Sequence, residues 1–208
     1  MQMVLDVTVL AYEDLRKKGI VRFGWEEDHF TLNLENCIRP HAYKRGMFVI
    51  SQSKTYTSEI QSGEVSAKKA KILDLRLWGC WENYHEVHFT WECKRVADVR
   101  EDESYKNLIS EYIKEGIFRF VDEEYATGLE DAGMLAYVLA GDIPTIVHEI
   151  NKSMHNHQRK RRLSASDHLE LAAPISTFAY AYQSCHKRVN NISNIQLYHL
   201  FFSFDFNQ

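Results

Sequence analysis

The chain has few of the residues that interrupt regular structure. Three prolines and nine glycines in 208 residues predict short connections between well-formed helices and strands. The four cysteines include no Cys-x-x-Cys pair, which argues against a zinc ribbon or a dithiol redox motif. Their irregular spacing in a chain of this size disfavours a disulfide framework. Reduced thiols favour a cytoplasmic location.

Long apolar runs are also missing. No stretch approaches the length of about 18 apolar residues that a membrane span needs, so we expect no membrane association. The N-terminal sequence carries acidic residues early and lacks a basic leader, which argues against a signal peptide. The net charge of −4 excludes a protein that is positive over its whole surface, although it permits a local basic groove.

What the chain does have is the composition of a soluble globular protein. Hydrophobic residues make up 45% and charged residues 26% of the sequence. We find no repeat, low-complexity tract or linker that would divide it, and therefore predict a single domain over residues 1–208.

The first quarter of the sequence predicts two helices and a strand. Apolar spacing and Gly19 indicate a helix over Val7–Lys18. A second helix is predicted from Trp25 to Ala42, with acidic residues at its start and Pro40 weakening its end. A strand over Met47–Ser51 follows, and then a polar, exposed excursion from Gln52 to Lys69.

Two alternating segments read as neighbouring strands, Ala70–Trp78 and Glu86–Val96, joined by a short connection over Gly79–His85. Helical spacing returns after them. We predict three helices and a final buried strand: Tyr105–Tyr125 with Ser104 as its cap, Met134–Met154, Asp167–Gln183 and Ile195–Phe206.

Three charged residues carry the chemistry of this pair of strands. Glu92 and Lys94 are two positions apart, so their side chains project from the same face. The hairpin brings Asp74 beside them. Two carboxylates suit Mg²⁺, which prefers oxygen ligands and keeps several waters. Lys94 would orient an attacking water and stabilise charge on phosphate oxygens, and the backbone carbonyl of Cys93 is a natural further ligand.

The ordinary interpretation of Glu-x-Lys on a strand is a solvated face with a weak ion pair. The context favours chemistry, because the strand is otherwise rich in apolar and aromatic residues, as if it were buried. Buried charges need partners. Asp74 lies where such a partner is expected.

This pattern resembles the PD-(D/E)XK nuclease superfamily, which has the restriction-endonuclease-like fold. That family has an Asp at the start of one strand and Glu-x-Lys on the next, within a core of a helix, a three-strand meander, a helix and a strand. Leu73-Asp74 and Glu92-Cys93-Lys94 fit this order, with Leu73 in place of the eponymous proline. The resemblance covers roughly residues 25–125.

The resemblance implies an α/β fold with a mixed central β-sheet flanked by helices. A helix about 7–19 and the region 134–208 would elaborate this core. It also implies DNA cleavage with Mg²⁺ or Mn²⁺, in defence against foreign DNA or in DNA processing, and possible homodimers. Asp74 and Glu92 would bind the metal. Glu27, with Glu26 as the alternative, would be the assisting carboxylate that many members carry on the preceding helix.

Two basic segments are candidates for DNA contact. The first is Arg159, Lys160, Arg161 and Arg162. The second is His186, Lys187 and Arg188, at the end of a predicted helix. For each of them a simpler role remains open. Charge runs such as the first are more often a solvated surface, and the second is equally consistent with cations that favour a helix C-terminus.

Two other functions compete with a nuclease. The first is a non-catalytic module on the same fold that binds nucleic acid or protein, in which Asp74, Glu92 and Lys94 form an ion network. The second is a small-molecule enzyme with paired carboxylates, such as a glycosidase. Lys94 between the carboxylates and the absence of an evident aromatic cluster for sugar stacking disfavour it.

Overall fold

The computed structural model describes residues 1–55, 71–81, 85–161, 167–172, 178–189, 193–204 and 206. Its strands form one seven-stranded mixed sheet with helices packed against it, so the predicted α/β class is confirmed. The sheet has the order β1-β2-β3-β4-β7-β6-β5. Its strands are β1 Met47–Thr55, β2 Lys71–Trp81, β3 His85–Val96, β4 Asp131–Val138, β5 Glu170–Leu171, β6 Ala181–Lys187 and β7 Asn194–Ser203.

Two N-terminal helices pack together on one side of the sheet. Helix α1, Gln2–Lys18, begins earlier than predicted and ends at Gly19, whose φ of 61° lies in the left-handed region that closes helices. Helix α2, Glu27–Tyr43, has Glu27 and Asp28 in its first turn, as predicted. Pro40 lies inside its last turn and does not end it.

The first three strands form the predicted antiparallel meander. β1 pairs with β2, and β2 pairs with β3. β1 runs on to Thr55, so the predicted excursion from Gln52 begins inside a strand, and its part over 56–70 lies outside the described residues. The predicted connection over Gly79–His85 is mostly strand, and 82–84 lie outside the described residues.

The helical segment after β3 is present but irregular. It consists of a 3₁₀ turn over Glu103–Tyr105, helix α3 over Lys106–Tyr112, a π-helical turn over Ile113–Ile117 and helix α4 over Phe118–Val121. The Asp102 side chain, rather than that of Ser104, provides the N-terminal cap, because it accepts a hydrogen bond from the Ser104 N–H.

The C-terminal predictions were wrong in two places. The predicted helix Met134–Met154 combines strand β4 with the first part of helix α5, Ile143–Arg161. β4 is buried on both faces and therefore lacks the alternation that indicates a strand. The predicted helix Asp167–Gln183 is replaced by β5 and the start of β6. The final strand β7 is buried as predicted and ends earlier, at Ser203.

Strands β3, β4 and β7 run parallel to one another in the middle of the sheet. One core lies between the sheet and helices α1 and α2, and a second lies on the other side, against α3, α4 and α5. No helix among the described residues is long and apolar enough to cross a membrane.

A chain of buried polar groups crosses the second side of the molecule. His199 lies with Nδ1 2.8 Å from the Tyr112 hydroxyl and Nε2 2.8 Å from Ser184 Oγ. Ser184 Oγ is 2.7 Å from His186 Nε2, and His186 Nδ1 is 3.7 Å from Asp167 Oδ2. Burial, followed by the neighbouring His186, holds the pKa of His199 well below its ordinary value.

Candidate functional site

The candidate site lies where β2 and β3 separate. Their last paired residues at this end are Leu75 and Trp91, so Asp74 is one position beyond the ladder. The Asp74 side chain continues the contact between the two strands, because its Oδ2 accepts a hydrogen bond of 2.7 Å from the Cys93 N–H. This contact brings Asp74 beside the Glu92-Cys93-Lys94 segment, which is the proximity that the sequence predicted.

Lys94 lies at the centre of the cluster. Its Nζ donates hydrogen bonds to Glu92 Oε1 at 2.8 Å, to Glu27 Oε1 at 2.9 Å and to the Cys93 carbonyl at 2.7 Å. Asp74 Oδ2 is 3.9 Å away. An ammonium group has three N–H donors, so these three bonds use all of them.

The helix carboxylate of the cluster is Glu27 rather than Glu26. Glu27 is the first residue of α2, and its side chain reaches Lys94. Glu26 points away, because its carboxylate pairs with Arg95 at 3.1 Å and its side chain is 72% exposed.

Burial governs the protonation of this cluster. It raises the pKa of Glu92 to about 8, with a further contribution from the charge of Asp74. Burial also raises the pKa values of Asp74 and Glu27. For Lys94, burial lowers the pKa, but the charges of the three surrounding carboxylates outweigh it and raise the pKa above the ordinary value. Lys94 is therefore a cation that donates hydrogen bonds.

The oxygen atoms of the cluster are suited to a hard divalent cation. Glu92 Oε2 is buried and has no hydrogen-bond partner among the described residues. The carboxylates of Asp74, Glu92 and Glu27, with the carbonyl of Cys93, provide oxygen donors only, which Mg²⁺ and Mn²⁺ prefer. In the part of the chain that the structure describes, no group of three or more His, Cys, Asp and Glu side chains is already arranged as a metal site.

Arg119 and Tyr125 join the cluster, and sequence reasoning missed both. Arg119 Nη1 is 3.6 Å from Glu92 Oε1, and its Nη2 pairs with Glu115 at 2.5 Å. Burial and the Glu92 charge raise the pKa of Tyr125 to about 12, so its hydroxyl stays protonated. One signal was available: Arg119 interrupts an apolar run in which Ile117, Phe118, Phe120 and Val121 are all buried.

The two basic segments lie elsewhere. Arg159, Lys160 and Arg161 are in the last turn of α5, but their side chains and the whole of Arg162 lie outside what the structure describes. His186, Lys187 and Arg188 lie at the end of strand β6, so their predicted place at a helix end was wrong. His186 and Arg188 are buried and Lys187 is exposed. The alternation of a strand explains this pattern.

Arg188 faces the loop after α4. Its Nη2 donates a hydrogen bond of 2.7 Å to the Ala126 carbonyl, and its Nη1 is 3.8 Å from Glu123 Oε1. In this conformation the guanidinium supports a loop beside the site and is not presented to a phosphate backbone.

No family model, curated protein or solved structure shows significant similarity to this chain.

Proposed function

We propose that the protein is a divalent-metal-dependent endonuclease that cleaves DNA and has the restriction-endonuclease-like fold. The observation that carries this proposal is the convergence of Asp74, Glu92 and Lys94 at the point where β2 and β3 separate. Three carboxyl groups meet at one ammonium, and burial raises the pKa of each of them; a divalent cation bound there would stabilise their charged forms.

The order of elements supports the fold assignment. Helix α2, the meander β1-β2-β3, the helical segment Glu103–Val121 and strand β4 follow one another along the chain. This is the helix, meander, helix and strand sequence of the superfamily core. β4 lies parallel to β3, directly beside the strand that carries Glu92 and Lys94.

The metal would be held by Asp74, Glu92 and the Cys93 carbonyl, with Glu27 close by. A divalent cation there supplies Lewis acidity, which activates water as a nucleophile and offsets phosphate charge. All three N–H groups of Lys94 now contact these residues. If Glu92 and the Cys93 carbonyl bound a metal ion, the N–H groups of Lys94 that now contact them would be available to a water or a phosphate oxygen.

The reaction is the hydrolysis of a phosphodiester. A P–O bond forms to the water oxygen, and the P–O bond to the leaving sugar oxygen breaks. The products are a phosphomonoester and a hydroxyl group, and the proton that the water loses is balanced by the one that the leaving oxygen gains. Lys94 orients the water and stabilises the charge that builds up on the phosphate oxygens.

Cleavage of supercoiled, linear and single-stranded DNA with Mg²⁺ or Mn²⁺ tests the proposal. We would compare wild type with Glu92→Gln, Lys94→Ala and the control Glu35→Gln. Glu35 is also a buried glutamate paired with one cation, Arg39, at 2.7 Å, but it lies further along α2. We expect metal-dependent cutting by wild type and the control. Both site variants should lose it.

The alternative is a non-catalytic module that binds nucleic acid or protein on the same fold. Metal-induced stabilisation separates the two, because an ion network that needs no metal gains nothing from Mg²⁺ or Mn²⁺. The nuclease proposal fails if wild type cuts none of the three DNA forms and its melting temperature does not rise with either metal.

A further inference from the structure

Arg119 is a second cation at the site, and the roles assigned above do not use it. Its guanidinium lies 3.6 Å from Glu92. Its side chain is 27% exposed, whereas that of Lys94 is 10% exposed. Arg119 is therefore more accessible than Lys94 to an anion that approaches from solvent.

The guanidinium of Arg119 is held in one orientation. Its Cζ lies 5.3 Å from the centre of the Tyr125 ring, and Nη1 donates a hydrogen bond of 2.5 Å to the Tyr125 hydroxyl. That hydroxyl donates in turn to the Ile72 carbonyl at 3.1 Å. Ile72 is two residues before Asp74 on β2, so this chain of contacts ties Arg119 to the strand that carries a predicted metal ligand.

A strained turn brings Tyr125 back to Arg119. The N–H groups of Glu124 and Tyr125 both donate to the Arg119 carbonyl, at 2.8 and 3.1 Å. Glu123 and Ala126, on either side, have φ values of 59° and 52°, in the region that side chains other than glycine rarely adopt. Backbone strain of this kind is concentrated at functional sites. The buried Arg188 supports the turn through the Ala126 carbonyl.

The chemistry of the guanidinium suits a phosphodiester. Arginine has five N–H donors in a planar fork that matches phosphate oxygens. Among the described residues, the hydrogen bonds of Arg119 to Tyr125 and Glu115 use part of this set. A phosphate needs such a cation here, because the carboxylates around Lys94 repel its charge.

We propose that Arg119 is a catalytic residue that donates hydrogen bonds to a non-bridging oxygen of the scissile phosphate. Tyr125 and Arg188 are positioning residues that hold it there. This inference rests on the proposed phosphodiesterase function. Its rival is a surface ion pair between Arg119 and Glu115, four residues apart on a helical segment.

The chain contains a matched example of that rival. Arg39 pairs with Glu35 at 2.7 Å with the same spacing on α2. Arg39 lies twelve positions after Glu27, which is about 18 Å along the helix. Arg39→Ala is therefore a control that removes an arginine and its helical ion pair at a distance from the site.

The experiment compares Arg119→Ala, Arg119→Lys and Arg39→Ala in single-turnover cleavage with Mn²⁺. The substrates are ordinary DNA and DNA with phosphorothioate linkages. We expect Arg119→Ala to cut about 100-fold more slowly or worse, with partial rescue by lysine and no effect of Arg39→Ala. Sulfur at the non-bridging position should slow wild type more than Arg119→Ala, because the variant no longer contacts that oxygen. A structural role would not change this sulfur effect.

A measurement of DNA binding tests the role of Arg119 independently of cleavage. The probe is a fluorescent duplex oligonucleotide with Ca²⁺ in place of Mn²⁺. Arg119→Ala should bind it more weakly than Arg39→Ala does. Equal binding by the two variants, or an unchanged sulfur effect in a variant that still cuts, overturns the role of Arg119. If wild type does not cut but Arg119→Ala alone loses binding, the cleavage proposal fails and the phosphate contact stands.

Tyr125→Phe tests the positioning role. It should lower the cleavage rate in the wild-type background and have no further effect in the Arg119→Ala background, because the hydroxyl acts through Arg119. An equal decrease in both backgrounds contradicts that role.

Discussion

Lys94 lies among three carboxylates, of which Glu92 is almost completely buried and Asp74 and Glu27 are partly buried. Glu92 is 1% exposed and Lys94 is 8% exposed. Such a cluster is stable when charge and hydrogen bonds balance, and removing one partner leaves a buried charge without compensation. The contribution of Lys94 to folding can therefore be measured separately from its contribution to chemistry.

Lys94→Ala should lower the free energy of unfolding by about 3 kcal/mol in EDTA, because Glu92 and Glu27 lose their ammonium partner. Mg²⁺ should then raise the melting temperature of the variant by more than that of wild type, since the added cation replaces the missing one. Chemical denaturation and thermal melts measure both effects. Lys152→Ala, which removes an exposed pair with Glu149, is the control. Equal losses in the two variants would contradict this account.

The site residues were predictable to different degrees. Asp74, Glu92 and Lys94 follow from the two-residue period of strands and the order of a hairpin, both of which are local. Arg119 and Tyr125 were missed because their contact depends on a turn with residues in left-handed conformations. Neither Glu123 nor Ala126 is a residue type that indicates such a turn.

Strands β3 and β4 leave no room for a larger side chain at one position of their contact. Trp91 and Gly133 are opposite each other in this parallel pair. A Cβ atom at position 133 would collide with the six-membered ring of Trp91. Trp91 is fully buried and directly precedes Glu92, so the small size of Gly133 lets β3 keep the position that supports the site.

Gly133→Ala should lower the free energy of unfolding by about 1–3 kcal/mol through overpacking against Trp91. A shift in the tryptophan emission spectrum should accompany the loss, because the indole ring must move. Gly24→Ala is the matched control, since an added Cβ there meets nothing within 4 Å. If the two alanine variants were equally stable, the close packing at Gly133 would be refuted.

At the level of elements, the two wrong helix predictions have different causes. β4 is buried on both faces because parallel strands in the middle of a sheet are covered from both sides. An apolar run of this kind cannot be told from a buried helix by its period. β6 alternates in burial along most of its length, but that pattern is short and the predicted helix extended across its start.

For the whole molecule, the buried His199 links stability to pH. The folded protein holds this imidazole neutral, while the unfolded chain protonates it below about pH 6.5. A histidine with a lowered folded-state pKa contributes stability that is complete above the unfolded-state pKa. This stability is lost as the pH falls through that value.

We expect the unfolding free energy of wild type to fall more steeply than that of His199→Gln below pH 6.5. The difference in slope should approach about 1.4 kcal/mol per pH unit, which corresponds to one proton. At pH 8 the variant should be less stable, since Tyr112 and Ser184 lose hydrogen bonds. Urea denaturation from pH 5 to pH 8 gives both values. Parallel slopes would show that His199 takes up no proton on unfolding. Histidines outside this chain of polar groups contribute equally to both slopes.

The order of the strands in the sheet could not be predicted from the sequence. The pairing of β2 with β3 follows from the short connection between Trp81 and His85. The placement of β7 between β4 and β6 depends instead on contacts across long stretches of chain. No local pattern encodes that order, although the apolar character of β7 did indicate a buried strand.

The hydrogen-bonded chain through Tyr112, His199, Ser184 and His186 has a direction. If the Tyr112 hydroxyl donates to His199 Nδ1, then His199 must donate from Nε2 to Ser184, and Ser184 must donate to His186. The His199 ring cannot flip alone without breaking its hydrogen bonds to Tyr112 and Ser184. The hydroxyl protons of Tyr112 and Ser184 should therefore exchange slowly with solvent and appear as separate proton NMR resonances. They would be natural spectroscopic markers of the intact fold.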